Sequence, residues 1–223
     1  MLSRVKIKIC GLTNYRDASL AVLLGADLLG FIFAESKRNV DRETVRLIIN
    51  QLREEGLPSR VKCVGVFVNE SAMIIDDIAA YCGLDLVQLH GDESLKMAEN
   101  LTVNWYKALR VNDEKDLDGL TCWPCSRILV DAKVEGIYGG SGVAVPLSLA
   151  ALASQRSVDL GKEFFLAGGI TPHNVVDIIL ATKPFGIDVS SGVELEPGIK
   201  NEGKMRQLFT AVTSIKVDSY DKQ

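Results

Sequence analysis

Short apolar runs alternate with longer amphipathic segments from one end of the chain to the other, and this alternation limits the possible folds more than any single motif does. The runs occupy residues 5–10 (VKIKIC), 28–33, 62–68, 84–89, 105–110, 127–131, 164–168 and 185–190 (FGIDVS). Apolar runs of this kind, rich in β-branched residues, fit strands buried on both faces, as in a parallel sheet covered by helices. Helical patterning predicts helices over residues 15–24, 42–54, 72–81, 94–101, 113–117, 147–154, 174–181 and 204–216. Eight such pairs predict an α/β chain closed into a parallel, eight-stranded (β/α)8 TIM barrel, with an open doubly wound sheet as the alternative. No linker or low-complexity stretch interrupts the pattern, so residues 1–223 read as a single domain. A polar tail, KVDSYDKQ, is expected to fray.

Charge and cysteine usage narrow the function classes. A net charge of -4 gives no basic face for nucleic acid or for an anionic membrane surface. The opening MLSRVKIKIC has no apolar core of a secretory signal, and no stretch is long and apolar enough to span a bilayer, so a cytoplasmic location is expected. Five scattered cysteines do not make a disulfide framework. Cys122 and Cys125 have redox-motif spacing, but they precede a strand instead of opening a helix, so they read as a turn with two ordinary thiols. With only His90 and His173 available, in unrelated segments, no metal site is expected.

In a barrel the active site lies at the C-terminal ends of the strands. There this chain places Cys10 and Gly11 after the first run, Arg38 after the second, His90 after the fourth and Asp131 at the end of the sixth. The seventh run ends in Gly168 and Gly169, and the eighth in Ser190, Ser191 and Gly192. Glycines let backbone N–H groups approach phosphate oxygens, and serine hydroxyls add donors without charge, so these last two loops are candidate phosphate holders. Taken singly, each is also an ordinary tight turn. The YGGSG loop, residues 138–142, is either a cover or a connection.

Seven segments, KICGLT, GFIFAESKR, VGVFVNE, VQLHGDE, VDAK with YGGSG, FFLAGGITPHNV and GIDVSSGVE with PGIKN, resemble in order and spacing the motifs of the phosphoribosylanthranilate isomerase family of tryptophan biosynthesis. The resemblance implies an Amadori rearrangement of a phosphorylated aminosugar with no metal or organic cofactor, in a monomer or homodimer. It further implies that Cys10 is the general base, Asp131 the general acid, and Arg38 the group that holds the substrate carboxylate. Asn201 departs from the pattern, since an aspartate is expected there more often.

The layout also suits such a substrate on physical grounds. In a closed ring, strands 7 and 8 lie between strands 6 and 1, so a phosphate at Gly169 and Ser191 places the sugar between Asp131 and Cys10. Arg38 then faces the other anion, and its planar fork can meet a carboxylate bidentately. Ordinary pKa values set the pair backwards, with about 3% of Cys as thiolate and about 0.1% of Asp protonated at neutral pH. Apolar walls favour the acid and oppose the thiolate, an effect that Arg38 is expected to offset in part. Gln88, His90 and Asp188 are expected to be supporting polar groups. Competing readings are another phosphosugar isomerase or epimerase, and a phosphate-binding module without turnover, which would need neither Cys10 nor Asp131.

Overall fold

The computed structural model describes residues 4–56, 58–132 and 144–215. The strands are β1 (Lys6–Ile9), β2 (Leu28–Ile32), β3 (Lys62–Phe67), β4 (Leu86–Leu89), β5 (Trp105–Val111), β6 (Arg127–Ala132), β7 (Glu163–Leu166) and β8 (Gly186–Val189). They form a closed barrel in that order. Parallel pairing of β1 with β8, from Lys6 opposite Gly186 to Ile9 opposite Val189, rules out the open sheet.

Strand alternation sorts the side chains into two populations. Leu28, Val64, Tyr106, Ala108, Leu129, Phe165 and Ala167 form one buried cluster inside the ring. Neighbouring positions such as Ile7, Ile9, Leu29 and Phe31 belong to the larger cluster shared with the helices. Those helices are α1 (Tyr15–Leu24), α2 (Arg42–Glu54), α3 (Ala72–Cys82), α4 (Leu95–Ala98), α5 (Gly119–Cys122), α6 (Leu147–Asp159), α7 (Val175–Thr182) and α8 (Glu202–Thr213). The α2 helix shows the rule plainly: it buries Val45, Ile48, Ile49 and Leu52, spaced to fall on one face. Each such side chain contributes about 1.5–3 kcal/mol on burial. Asp41 starts that helix by accepting the Thr44 N–H at 2.8 Å.

The helical expectations hold least well in the middle of the chain. Helix α4 ends at Ala98, short of residue 101, because Asp76 captures the N–H groups of Thr102 and Val103 and turns the chain into β5. The predicted helix over residues 113–117 is a 3-10 turn, Glu114–Asp118, closed by an Asp113/Asp116 capping box and followed by α5. Helix α6 runs past residue 154 to Asp159, a continuation in which the Ser157 hydroxyl donates to the Ala153 carbonyl. Helix α8 starts earlier than residue 204, since Asn201 caps it by accepting the Lys204 N–H at 3.0 Å. Asparagine is as good an N-cap as aspartate, so the departure at this position leaves the helix start intact. A hairpin not anticipated from the sequence, β9 (Glu194–Glu196) with β10 (Ile199–Lys200), lies between β8 and α8. The YGGSG loop and the tail from residue 216 lie outside the described residues.

Candidate active site

Cys10, Arg38, Gln88, His90, Asp131, Gly168, Gly169, Asp188, Ser190, Ser191 and Gly192 all line one cleft at the C-terminal mouth of the barrel, and Gly11 does not. The cleft encloses about 740 Å³, its open mouth included, a size suited to a small-molecule ligand.

On the β1 side stands Cys10, buried, with its backbone N–H bonded to the Val189 carbonyl at 2.9 Å. Glycine at position 30 makes room for it, because a Cβ there would stand 2.8 Å from Sγ. Two residues earlier, and therefore on the same inward face, lies Lys8, which is fully buried. Its Nζ reaches Asp188 Oδ2 at 2.8 Å, Gln88 Oε1 at 2.5 Å and Cys10 Sγ at 3.5 Å. Burial opposes the lysine charge, but Asp188, Cys10 and Tyr106 outweigh it, and the Lys8 pKa is raised above the ordinary lysine range. Burial and Asp188 push the Cys10 thiol up, while Lys8 and Lys200 pull it down. Sequence reasoning gives that offset to Arg38; the structure gives its larger share to the two lysines.

Across the cleft, Asp131 is the last residue but one of β6. Burial raises its pKa to about 6, with Asp188 adding to the rise and the Ala132 N–H bond opposing it. His90 Nε2 lies 3.7 Å from Asp131 Oδ2. Gln88 fixes the histidine tautomer: its Oε1 accepts from Lys8 and from the Tyr106 hydroxyl, so its Nε2 must donate to His90 Nδ1, at 3.1 Å. The ring proton therefore sits on Nε2. Burial, with Lys8, Lys107 and Arg110, drops the His90 pKa to about 3, so the ring is neutral.

The loops after β7 and β8 meet below the third wall. Gly168 and Gly169 adopt φ of 92° and 62°, left-handed values that side chains rarely adopt. Their N–H groups make no hydrogen bond among the described residues. Gly192 lies so close to the β7 loop that a Cβ would stand 1.8 Å from the Ile170 carbonyl oxygen. After β8 the chain enters a three-residue 3-10 turn, Ser191–Val193, in place of an α-helix, so this loop offers N–H groups and hydroxyls and no long-helix dipole.

Arg38 is placed at the cleft but is already engaged. Its Nε and Nη2 hold Glu194 bidentately, at 2.9 and 2.7 Å, leaving the Nη1–Nη2 edge without a protein partner among the described residues. Glu194 in turn accepts from Lys200 Nζ at 2.9 Å, and Lys200 also donates to the Cys10 carbonyl at 2.6 Å. Glu194, Lys200 and Lys8 are functional neighbours that sequence reasoning missed. Only Lys8 had a usable signal, its period-2 spacing from Cys10. Among the described residues three buried polar atoms have no partner, His90 Nε2, Asp188 Oδ1 and Ser190 Oγ, and all three belong to residues of the cleft. Buried polar atoms are rarely left so without a reason, and a bound ligand supplies one.

The arrangement thus offers a thiol, a carboxyl group with a raised pKa, a cationic edge and a set of uncharged N–H and hydroxyl donors around one space. A family model described as N-(5'phosphoribosyl)anthranilate (PRA) isomerase matches residues 7–211. The chain is 40% identical over 216 residues to the N-(5'-phosphoribosyl)anthranilate isomerase of Pelobacter propionicus, covering 96% of this chain and 99% of that one. The Pseudomonas aeruginosa enzyme of the same description is 41% identical over 217 residues, covering 96% of this chain and 98% of that protein. Among solved structures, phosphoribosyl anthranilate isomerase from Thermotoga maritima superposes with a TM-score of 0.83 at 35% identity, covering 95% of this chain and 100% of that one. A further structure of this kind, in complex with reduced 1-(o-carboxyphenylamino)-1-deoxyribulose 5-phosphate, gives 0.80 at 34% identity, with 95% of this chain and 100% of that one covered.

Proposed function

The chain belongs to the N-(5'-phosphoribosyl)anthranilate isomerase family, and we propose that within it Cys10 is the base and Asp131 the acid of the family's rearrangement. The reaction is the conversion of N-(5-phosphoribosyl)anthranilate to 1-(2-carboxyphenylamino)-1-deoxyribulose 5-phosphate, a step of tryptophan biosynthesis. The observation that carries the assignment of roles is the ring order. With β7 and β8 between β6 and β1, a phosphate at Gly168, Gly169, Ser190, Ser191 and Gly192 sets the ribose between Asp131 and Cys10.

Protonated Asp131 delivers its proton to the ring oxygen, the C1–O bond breaks, and the nitrogen lone pair forms the iminium. The Cys10 thiolate takes the proton from C2 to give the enolamine. Return of a proton to C1 and loss of one from the C2 hydroxyl give the ketone, so the step is a net isomerisation. The free edge of Arg38 takes the anthranilate carboxylate, and Glu194 fixes the guanidinium plane for it. The neutral His90 Nε2–H and Asp188 Oδ1 gain partners from the sugar hydroxyls or from Asp131.

We place the reaction in the cytoplasm, where free thiols persist: Cys10, Cys63, Cys82, Cys122 and Cys125 are all unpaired. Among the described residues no helix is long and apolar enough to cross a membrane.

The test is a cofactor-free assay with EDTA present, in which phosphoribosylanthranilate is generated in place and its fluorescence followed. Loss of fluorescence with the wild type and its absence with Cys10→Ser supports the assignment. Full turnover by Cys10→Ser overturns it.

A further inference from the structure

We propose that Lys8 is the counter-ion of the Cys10 thiolate, a positioning residue beneath the cleft that completes the charge balance in which the thiolate can exist. The proposal rests on the reading of Cys10 as the base.

Lys8 carries three N–H donors, and all three have acceptors: Asp188 Oδ2, Gln88 Oε1 and Cys10 Sγ. Gln88 is held in turn by the Tyr106 hydroxyl at 2.9 Å, so the ammonium has one position available to it. A lysine fully withdrawn from water needs compensating anions, because the desolvation cost of its charge is several kcal/mol. Asp188 alone would meet that need. The third donor points at sulfur, which as a thiol is a poor acceptor and as a thiolate a strong one.

Charge counting reaches the same conclusion. The charged groups that meet around Cys10 are Lys8 from β1, Asp188 from β8, Glu194 and Lys200 from the β9–β10 hairpin, and Arg38 from the loop after β2. Before substrate brings its own carboxylate to Arg38, three cations thus face two carboxylates, and the thiolate is the third anion that makes the assembly neutral. The remaining titratable neighbours do not disturb this count when the free enzyme holds its productive protonation state. Burial pushes the Tyr106 phenol up to about 12 and His90 down to about 3, and Asp131 is protonated when it acts as acid. Lys8 keeps its protons throughout. Cys10 Sγ gains the C2 proton and gives it up again, and the ammonium stabilises only the ionised half of that cycle.

The experiment titrates Cys10 by the ultraviolet absorbance of its thiolate, taking each variant against its own Cys10→Ser counterpart. Lys8→Met is expected to raise the midpoint by about one pH unit or more, lowering thiolate and kcat at neutral pH about tenfold. KM should stay within about threefold, as for a group that does not touch substrate. Asp188→Asn is expected to move the midpoint the other way, because it frees Lys8 for the sulfur. A role in packing alone would not produce opposite signs. Should Lys8→Met fail to fold, Lys8→Met/Asp188→Asn is compared with Asp188→Asn, and the midpoint should again be the higher in the variant lacking the lysine. An unchanged midpoint, or shifts of one sign in both variants, overturns the proposal. Turnover retained by Cys10→Ser would instead remove the base assignment on which it stands.

Discussion

The two ends of the barrel treat polar groups in opposite ways. At the N-terminal floor, Arg127 holds Glu163 through Nε and Nη2 at 2.8 and 2.6 Å while its guanidinium lies 5.7 Å from the Tyr106 ring and 5.1 Å from that of Phe165. Nearby, Asp27 accepts from Arg4, Lys6 and the Ile7 N–H, at 3.0 to 3.1 Å. At the mouth, His90, Asp188 and Ser190 each keep a buried atom without a partner among the described residues, and burial raises the Asp131 pKa to about 6. The floor is arranged to be stable as it stands; the mouth is arranged to be completed by something else. Stability and activity should therefore respond to different substitutions.

The sharpest break in this contrast is Asp131→Asn, which should cut kcat by about 10²–10⁴-fold, the range of a lost general acid. It should not cost stability at neutral pH. The folded pKa of about 6 lies above the ordinary 3.8, so the folded state binds this proton more tightly and stability falls as pH rises between those values. Above pH 6 the buried carboxylate costs about 3 kcal/mol, from about two pKa units. Chemical denaturation across pH should show the variant more stable above pH 6 and the gap closing towards pH 4. His90 works in the opposite sense. Its folded pKa of about 3 lies below 6.5, so its contribution to stability is lost as pH falls between them, and His90→Gln should flatten that acid loss.

Next in size is Arg38→Ala, expected to raise KM about 10- to 100-fold with a smaller change in kcat, because a charge-assisted bidentate contact is worth about 1.5–3 kcal/mol. An unchanged KM in steady-state kinetics would detach Arg38 from the carboxylate.

A subtler effect is the shape of the pH profile. With Asp131 titrating near 6 and Cys10 above its ordinary range, the productive pair, acid protonated and thiol ionised, is scarce but constant between the two values. Accordingly kcat/KM should fall about tenfold per unit below pH 6 and stay flat from about pH 6.5 up to the raised Cys10 midpoint, above the ordinary thiol range. A profile that peaks sharply inside this window would break the assignment.

The smallest effect on activity belongs to the floor. Arg127→Ala should lower stability by about 1–2 kcal/mol through the lost ion pair and ring contacts, with kcat/KM within about twofold. A large loss of activity there would erase the distinction between the two ends.

What was legible in the sequence follows the same division by range of interaction. The strands were readable because burial on both faces makes runs such as LLGFIF and FFLAG almost wholly apolar, and the strand ends pointed to Cys10, Asp131 and the β7 and β8 loops. Helix α4 and the 3-10 turn at Glu114–Asp118 were misread because distant or local carboxylates, Asp76 and Asp116, settle the backbone there. The β9–β10 hairpin was invisible, being only three residues paired with two. Glu194 and Lys200 escaped notice for a related reason. Their importance depends on partners far away in sequence, Arg38 and Cys10, and no local spacing encodes that. Lys8 is the exception, since the alternation of KIKIC already sets it on the same side of the strand as Cys10.

The near-contact of Gly192 with the Ile170 carbonyl has a practical consequence for anyone who would re-engineer this cleft. Loops of a barrel are commonly treated as separable modules, each exchangeable without regard to the next. Here the seventh and eighth share a single seam of backbone, and Asn174 stitches the near edge of that seam by donating to the Gly169 carbonyl and accepting from the Thr171 N–H. A graft of one alone would bring a foreign contour against the other. The pair is one transplantable unit, and a redesign for a different anion has to replace both together.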